Sequence, residues 1–197
     1  RRASGGGAIL HDQELTYSIA LPTSFPLAAR AEDLYFAFHR SLIETLAEFG
    51  VVAALCELPQ THAIGTYEIG AHPIGNHAIG QVEPFLCFQR RTNGDVLLGA
   101  HKIAGSAQRR WRGAVLQHGS VLLARSESAP ELVGISDLIE NFTGNAQRLW
   151  QAWLPRIQRQ LRVEFDPAPA TISPALAETA REIAAAKFAN SAWTFRK

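Results

Sequence analysis

This 197-residue sequence lacks features that define several large classes of protein. Its two cysteines, Cys56 and Cys87, are too few for a disulfide framework and lack the spacing of a metal site. It has no run of about 18 apolar residues, and glycines rather than an apolar segment follow its basic start. These absences predict a cytoplasmic protein with no membrane span and no signal peptide.

An excess of one charge sign is also lacking. The chain has 19 Lys and Arg residues against 18 Asp and Glu residues, which gives a formal net charge of +1. Nucleic acids and anionic membranes attract strongly basic proteins, so neither is an expected partner. With 47% hydrophobic residues, a chain of this length suits one compact domain spanning residues 1–197.

The order of secondary-structure signals predicts an α+β fold, with a mixed, mostly antiparallel sheet flanked by helices. Apolar residues recur every three or four positions from Asp33 to Phe49, which predicts a helix that stops at Gly50. Short strands are predicted at 8–10 and 15–21 before this helix, and at 51–55 after it.

Further strands are predicted in the middle of the chain. Asn93-Gly94 lies between the apolar runs 85–88 and 96–99, a pattern typical of a β-hairpin. Two more strands follow, at 102–110 and 114–123, so this part of the chain is predicted to form an antiparallel meander.

The last third of the chain is predicted to be mainly helical. Apolar residues from Leu149 to Leu161 have helical spacing, with a kink expected at Pro155. Residues 162–165 indicate a short strand, and Ser173-Pro174 begins a final helix through Ala186.

An Ile-Gly pair recurs every five residues between Ile64 and Gly80. A period of five fits neither helix nor strand, so residues 62–84 are predicted to form a flexible loop. His62, His72 and His77 suggest metal ligands, but a mobile glycine-rich loop would hold them poorly, and no metal site is expected.

The triple glycine at residues 5–7 indicates a place where the backbone approaches another group closely, with a plain flexible turn as the alternative. It is no P-loop, because no Gly-Lys-Ser/Thr follows, and it lies outside any βαβ unit.

Cys87 and Lys102 are the first candidates for chemistry. The predicted hairpin could bring them together, and an ammonium near a thiol lowers its pKa, which would give a pair suited to acyl transfer. From the residues alone, a buried and inert thiol remains the alternative for either cysteine.

Three blocks, RRASGGGAILHDQELTYS, KIAGSAQRR and LQHGSVLL, occur in this order and resemble the signature blocks of the lipoate-protein ligase and octanoyltransferase family. This family is related to the biotin protein ligases, and the closing AKFANSAWTFRK resembles its last helix. The resemblance implies the catalytic-domain fold of these enzymes. Family members have a helix and several strands before the glycine block, so it also implies that the N-terminal part is missing here.

Within this family, ligases activate lipoate with ATP, whereas octanoyltransferases carry the acyl chain on a cysteine. Cys87-Phe88 ahead of Lys102 resembles the branch that moves octanoyl from acyl carrier protein to a lysine of a lipoyl-domain protein, the glycine-cleavage H protein. The resemblance therefore implies an octanoyltransferase that needs no cofactor, because the donor thioester is already activated. We expect a monomer.

The resemblance implies that Cys87 is the nucleophile and that Lys102 favours its thiolate and polarises the thioester carbonyl, whereas Cys56 is structural. Backbone N–H groups near the glycines or near 105–107 would hold the oxyanion. His11 and His118 are assigned to pocket architecture, with proton transfer as the alternative. The implied substrate-binding residues are Arg2, Gly5, Gly6, Gly7, His11, Gly105, Ser106, Ala107, His118 and Gly119.

Three other functions stay open at this point. An octanoyl amidotransferase that takes its acyl group from H protein also uses a cysteine. An ATP-dependent lipoate ligase would leave Cys87 unexplained. An acyl-binding fragment without turnover is the alternative that is not an enzyme.

Overall fold

The structure is a computed structural model that describes residues 7–58, 84–166 and 171–194. Its centre is a five-stranded sheet with the strand order β1-β5-β4-β3-β2, in which all neighbours are antiparallel. The strands are β1 (Glu14–Pro22), β2 (Ala54–Leu55), β3 (Val96–Leu98), β4 (His101–Trp111) and β5 (Ala114–Leu122). The predicted α+β class with a mostly antiparallel sheet is confirmed.

The described residues also form helices. They are α1 (Ala31–Glu48), α2 (Ile135–Leu138), α3 (Ala146–Leu161), α4 (Pro174–Ile183) and α5 (Ser191–Thr194), with short 3₁₀ helices at Pro26–Ala28 and Cys87–Gln89 and a π-helical turn at Ala184–Phe188. The described residues fall into two compact units, a first unit that ends at Val163 and a second unit that begins at Glu164. A single domain over residues 1–197 stays a prediction.

Helix α1 supplies much of the core of the first unit. Its apolar positions Leu34, Phe38, Leu42 and Leu46 are all buried, as the periodicity predicts. Each such side chain contributes about 1.5–3 kcal/mol by leaving water. The chain leaves the helix at Gly50, whose φ of 73° suits glycine.

Helix α3 packs against α1 with the predicted stripe from Leu149 to Leu161. Trp153 is fully buried, and its indole N–H donates to Ser41 Oγ over 2.8 Å. The helix continues through Pro155 and ends where Arg162 adopts a left-handed φ of 54°. The predicted strand at 162–165 is therefore wrong, because these residues turn the chain out of the helix.

The β4–β5 hairpin and the β1–β5 pair are the two longest strand pairings in the sheet. Arg112 and Gly113 form the two-residue turn of the hairpin with φ values of 45° and 78°, which match a type I′ turn. The strands predicted at 102–110 and 114–123 are thereby confirmed, with bounds that differ by no more than one residue at either end.

The other predicted hairpin, which pairs residues 85–88 with 96–99, is wrong. Strand β3 already has β2 on one side and β4 on the other, so it has no free edge for the earlier run. Residues 87–89 instead form a 3₁₀ helix, and Leu86 makes an isolated parallel bridge with Ala8. The strand predicted at 8–10 is reduced to that bridge, and the one at 51–55 to Ala54–Leu55.

The second unit contains the predicted final helix. Ser173 caps α4 by accepting from the N–H of Leu176 over 3.2 Å, and Pro174 occupies the first helical position. Helix α4 buries none of its residues.

In the described parts of the chain, no helix combines the length and apolar character that crossing a membrane requires. The predicted Ile-Gly loop lies outside the described residues, except for Pro84 at its end.

Candidate active site

Lys102 lies near the start of β4 with only 7% of its side chain exposed. Its ammonium is 2.8 Å from Asp95 Oδ2 and donates to the carbonyl oxygen of Arg90 over 3.2 Å. The ring of Phe88 lies 5.5 Å from the same nitrogen. The lysine is therefore held in a largely buried cage, in which Asp95 is its carboxylate counter-ion among the described residues.

Asp95 is the residue that fixes this cage, and the sequence analysis missed it. Its side chain is 1% exposed and accepts from the N–H of Thr92 over 2.7 Å and from the hydroxyl of Tyr35 over 2.8 Å. Burial, together with the neighbouring Asp95 charge, raises the pKa of Tyr35 far above its ordinary value, so the phenol stays a donor. Every bond to the carboxylate stabilises its charged form beside Lys102.

Gly105 leaves the space that Lys102 occupies. A Cβ at this position would lie 2.6 Å from Lys102 Cε and 3.1 Å from Asp95 Oδ1. A side chain at this position would force the Lys102 side chain to shift, so glycine suits the observed position of the ammonium.

Cys87 is half-buried at the start of the 3₁₀ helix and is not in a disulfide. The end of the glycine block lies against it, because a Cβ on Gly7 would be 2.8 Å from Phe85 O and 3.0 Å from Cys87 N. The N–H of Cys87 donates to Ala8 O over 2.8 Å. That N–H is thus already used and is not free to hold an oxyanion.

The same 3₁₀ segment brings Cys87 into the neighbourhood of Lys102. Phe88, the next residue, faces the lysine ammonium, and Arg90 supplies one of its acceptors. A short helix packed on β4, and not the predicted hairpin, therefore carries Cys87, and the pairing of Cys87 with Lys102 stays a prediction.

The remaining described candidates on the sheet divide between its two faces. Ser106 and Gly119 are register partners on the face of α1, where a Cβ on Gly119 would lie 2.7 Å from Tyr17. Ala107 and His118 are register partners one residue along and therefore lie on the opposite face. Only this second pair shares a face with Gly105.

His11 lies on the surface, with 62% of its side chain exposed, and pairs through Nδ1 with Glu14 Oε1. The Glu14 side chain is 3% exposed, and its second oxygen has no hydrogen-bond partner among the residues that the structure describes. Arg2, Gly5 and Gly6 lie outside the described residues.

A cleft of about 200 Å³ opens beside Lys102. Phe88 and Leu132 provide apolar lining, and Arg91, His101 and Glu131 add charged or polar groups. An extended group that reached Lys102 through this cleft would meet both kinds of surface.

Cys56 has the environment of a structural thiol. It is 4% exposed, and its backbone exchanges hydrogen bonds of 2.7 and 2.8 Å with Asp95 and Gly94. Burial raises the pKa of its thiol, which disfavours the nucleophilic thiolate.

The described residues hold no cluster of three or more His, Cys, Asp or Glu side chains suited to a metal ion. His62, His72 and His77 lie outside the part of the chain that the structure describes.

This fold is shared with the catalytic domains of lipoate and biotin protein ligases. A bi-partite lipoate protein ligase from Thermoplasma acidophilum, studied with its E2 lipoyl domain, matches with a TM-score of 0.63 and 18% identity over 98% of this chain and 68% of that chain. The biotin protein ligase of Aquifex aeolicus matches with a TM-score of 0.52 and 12% identity over 77% of this chain and 54% of that chain.

Sequence comparison narrows the class. Residues 1–134 match the lipoyl protein ligase A/B catalytic domain, and the chain belongs to this family. The octanoyltransferase LipM of Macrococcus caseolyticus is 29% identical over 150 residues, covering 76% of this chain and 47% of that protein. That of Lysinibacillus sphaericus is 24% identical over 219 residues, covering all of this chain and 74% of that protein. The chain spans about half the length of the first of these relatives.

Proposed function

We propose that this protein transfers an octanoyl group from octanoyl-acyl carrier protein, through a thioester on Cys87, to a lysine of a lipoyl-domain protein, the glycine-cleavage H protein. The observation that carries the proposal is the packing of one short helix, in which Cys87 touches the glycine block and the next residues enclose Lys102. The similarity to octanoyltransferases LipM supports octanoyl as the acyl group and acyl transfer as the reaction.

The first half-reaction is a thioester exchange. The Cys87 thiolate attacks the donor carbonyl, a new C–S bond forms, the donor C–S bond breaks, and the carrier leaves as a thiolate that takes a proton from solvent. In the second half-reaction the neutral acceptor amine attacks the acyl-enzyme, a C–N bond replaces the C–S bond, the amine proton passes to solvent, and the thiolate of Cys87 is regenerated. Both steps start from a thioester, so neither needs ATP.

Lys102 keeps two proposed roles, favouring the thiolate and polarising the thioester carbonyl. Because Asp95 offsets the charge of the ammonium at 2.8 Å, we expect a smaller effect on the thiol than a bare ammonium would have. A lysine held by Asp95 and the carbonyl of Arg90 has a third N–H, and this fixed donor suits a carbonyl that gains negative charge.

The oxyanion also needs backbone donors, and the edge of β4 is the proposed source. Strand β3 pairs with β4 only as far as Ala104, so within the described residues one edge of β4 has no neighbouring strand from Gly105 onward. We propose that amide groups on that edge, within residues 105–107, donate to the oxyanion. The N–H of Cys87 is not available for this because it already donates to Ala8 O.

The acyl chain is proposed to lie along the glycines and the face of β4 that carries Gly105 and Ala107. The small side chain of Ala107 leaves room for an extended chain there, whereas the space beside Gly105 is occupied by Lys102. Arg2, Gly5, Gly6, Gly7, His11, Ser106, His118 and Gly119 remain proposed pocket residues. Ser106 and Gly119 would act from beneath, because they face α1.

An intact-mass experiment tests the proposal. The protein is incubated with octanoyl-acyl carrier protein without ATP, beside Cys87→Ala and the matched control Cys56→Ala. We expect an octanoyl adduct on the wild type and on Cys56→Ala but none on Cys87→Ala. An adduct that requires ATP and survives Cys87→Ala would favour a lipoate ligase instead.

Two further outcomes separate the remaining alternatives. Acylation by octanoyl-H protein but not by octanoyl-acyl carrier protein would favour the amidotransferase. Binding of the acyl donor without any adduct would favour an acyl-binding fragment. A monomeric state and a cytoplasmic location belong to the proposal and are tested by analytical ultracentrifugation and by cell fractionation.

A further inference from the structure

A buried chain of hydrogen bonds runs beneath the candidate site. The hydroxyl of Tyr17 is bonded to Ser106, Ser106 Oγ lies 2.6 Å from His39 Nε2, and His39 Nδ1 lies 2.6 Å from Gly94 O. His39 is completely buried on α1, and Tyr17 is 7% exposed. The proposed reaction steps use neither the Tyr17 hydroxyl nor the His39 imidazole, so the burial of these two polar groups needs another explanation.

The acceptors in this chain fix the position of each proton. Gly94 O can only accept, so His39 Nδ1 carries the proton that it donates. Burial lowers the pKa of His39 to about 4, so the ring is neutral at pH 7 and Nε2 accepts from the hydroxyl of Ser106. Ser106 Oγ in turn accepts from Tyr17, whose pKa burial raises to about 12. The neutral imidazole thus makes one hydrogen bond to the turn that contains Gly94 and another to Ser106 on β4.

Both partners of His39 are one residue away from a group that touches Lys102. One partner, Gly94, precedes Asp95, whose carboxylate is the counter-ion of Lys102 at 2.8 Å. The other, Ser106, follows Gly105, where a Cβ would lie 2.6 Å from Lys102 Cε. The imidazole therefore ties together the two backbone segments that determine where the ammonium lies. The ring of Tyr35, whose hydroxyl donates to Asp95, packs on the His39 imidazole with ring centroids 4.2 Å apart.

We propose that His39 is a positioning residue for Lys102, which it serves by holding the 92–95 turn and strand β4 at a fixed separation. The link to catalysis rests on the proposed function, in which Lys102 acts on the thioester. The link to the position of Lys102 is independent of any activity.

Lysine labelling tests the position of Lys102 directly. The sequence contains three lysines, Lys102, Lys187 and Lys197, so their peptides are readily separated by mass spectrometry. Trace acetic anhydride labels an amine according to its exposure and its free-base fraction. With Lys187 as the internal reference, the buried and ion-paired Lys102 is expected to react slowly in the wild type.

Three variants test how far His39 controls the labelling of Lys102. His39→Leu removes both hydrogen bonds and is expected to raise Lys102 labelling about tenfold. His39→Gln is expected to return it to within about threefold of wild type, because an amide can donate to one partner and accept from the other. Thr45→Val is the matched control, since Thr45 is a buried polar residue of α1 whose hydroxyl bonds within the helix to Ser41.

Acylation of Cys87 by octanoyl-acyl carrier protein gives the second readout. His39→Leu should lower the rate constant about tenfold with little change in half-saturating donor concentration, and His39→Gln should restore most of it. Thr45→Val should match the wild type. If the wild type forms no adduct, the proposed function fails while the labelling arm still tests His39.

Unchanged Lys102 labelling in a folded His39→Leu protein would overturn the proposal, as would equal labelling in His39→Leu and Thr45→Val. If His39→Leu does not fold, Ser106→Ala takes its place, because it removes the His39–Ser106 hydrogen bond with little loss of volume. It is expected to raise Lys102 labelling about threefold. Wild-type labelling in Ser106→Ala would then overturn the proposal.

Discussion

Lowering the pH from 7 toward 4 should destabilise this protein through His39. The ring is completely buried and neutral, and burial lowers its pKa from 6.5 to about 4. The folded state therefore binds fewer protons than the unfolded state between these two values. Stability from this residue is fully present above pH 6.5 and is lost as the pH falls toward 4.

The size of the effect follows from the shift. A difference of roughly 2.5 pKa units corresponds to about 3 kcal/mol in total, of which about 2 kcal/mol is lost between pH 7 and pH 5. Asp95 raises the pKa of His39 and Lys102 lowers it, so the two partners of the ion pair act in opposite directions. The aromatic neighbours Tyr35 and Tyr17 remain neutral throughout this range.

Urea unfolding at pH values from 7.5 to 4.5 measures this effect, with His39→Gln as the reference. The two proteins differ only at residue 39, so the difference between their free energies of unfolding reports on His39. We expect the wild type to lose about 2 kcal/mol more than His39→Gln between pH 7 and pH 5. Parallel pH profiles for the two proteins would refute the buried, neutral state of this ring.

Three other outcomes concern the lysine cage. Asp95→Asn leaves a buried ammonium without its counter-ion and should reduce the free energy of unfolding by about 3–5 kcal/mol, whereas adding Lys102→Met should recover much of the loss in the same urea titration. Gly105→Ala places a Cβ 2.6 Å from Lys102 Cε, so Cys87 acylation followed by mass spectrometry should slow about tenfold, and a normal rate would show that the ammonium position is unimportant. Lys102→Ala should also slow this acylation near pH 7, and an unchanged rate would remove both roles proposed for the lysine.

Strong periodicity made the largest elements predictable. The apolar spacing of α1 and the turn at Gly113 each have one plausible structural reading, and both agree with the structure. The run at 85–88 was ambiguous, because four apolar residues before a turn suit a strand as well as a buried 3₁₀ segment. Its structure was decided by pairing elsewhere in the sheet, since β2 and β4 occupy both edges of β3.

The candidate site was only partly predictable for a related reason. Cys87 and Lys102 carry recognisable chemistry, whereas Asp95 lies in a turn where an acidic residue is expected for local reasons alone. His39 falls within an amphipathic helix, and nothing in its spacing distinguishes a surface histidine from a buried one. Their importance comes from partners 7 and 67 residues away in sequence, as in the Asp95–Lys102 pair and the His39–Ser106 bond, and only the fold brings these together.

The face on which each β4 residue lies could have been deduced once its partner strand was known. Residues alternate along the strand, so Gly105 and Ala107 must share one face while Ser106 lies on the other. The register supplies the missing fact, because Ser106 opposite Gly119 places both beside Tyr17.

Locating the octanoyl group during a single turnover tests the central claim most directly. The protein is acylated with isotope-labelled octanoyl-acyl carrier protein without ATP, freed of donor, and then mixed with the lipoyl-domain acceptor, with peptide mass spectrometry at each stage. The account predicts the label on Cys87 before mixing and on a lysine of the acceptor afterwards. Label that reaches the acceptor without ever residing on Cys87 would contradict it.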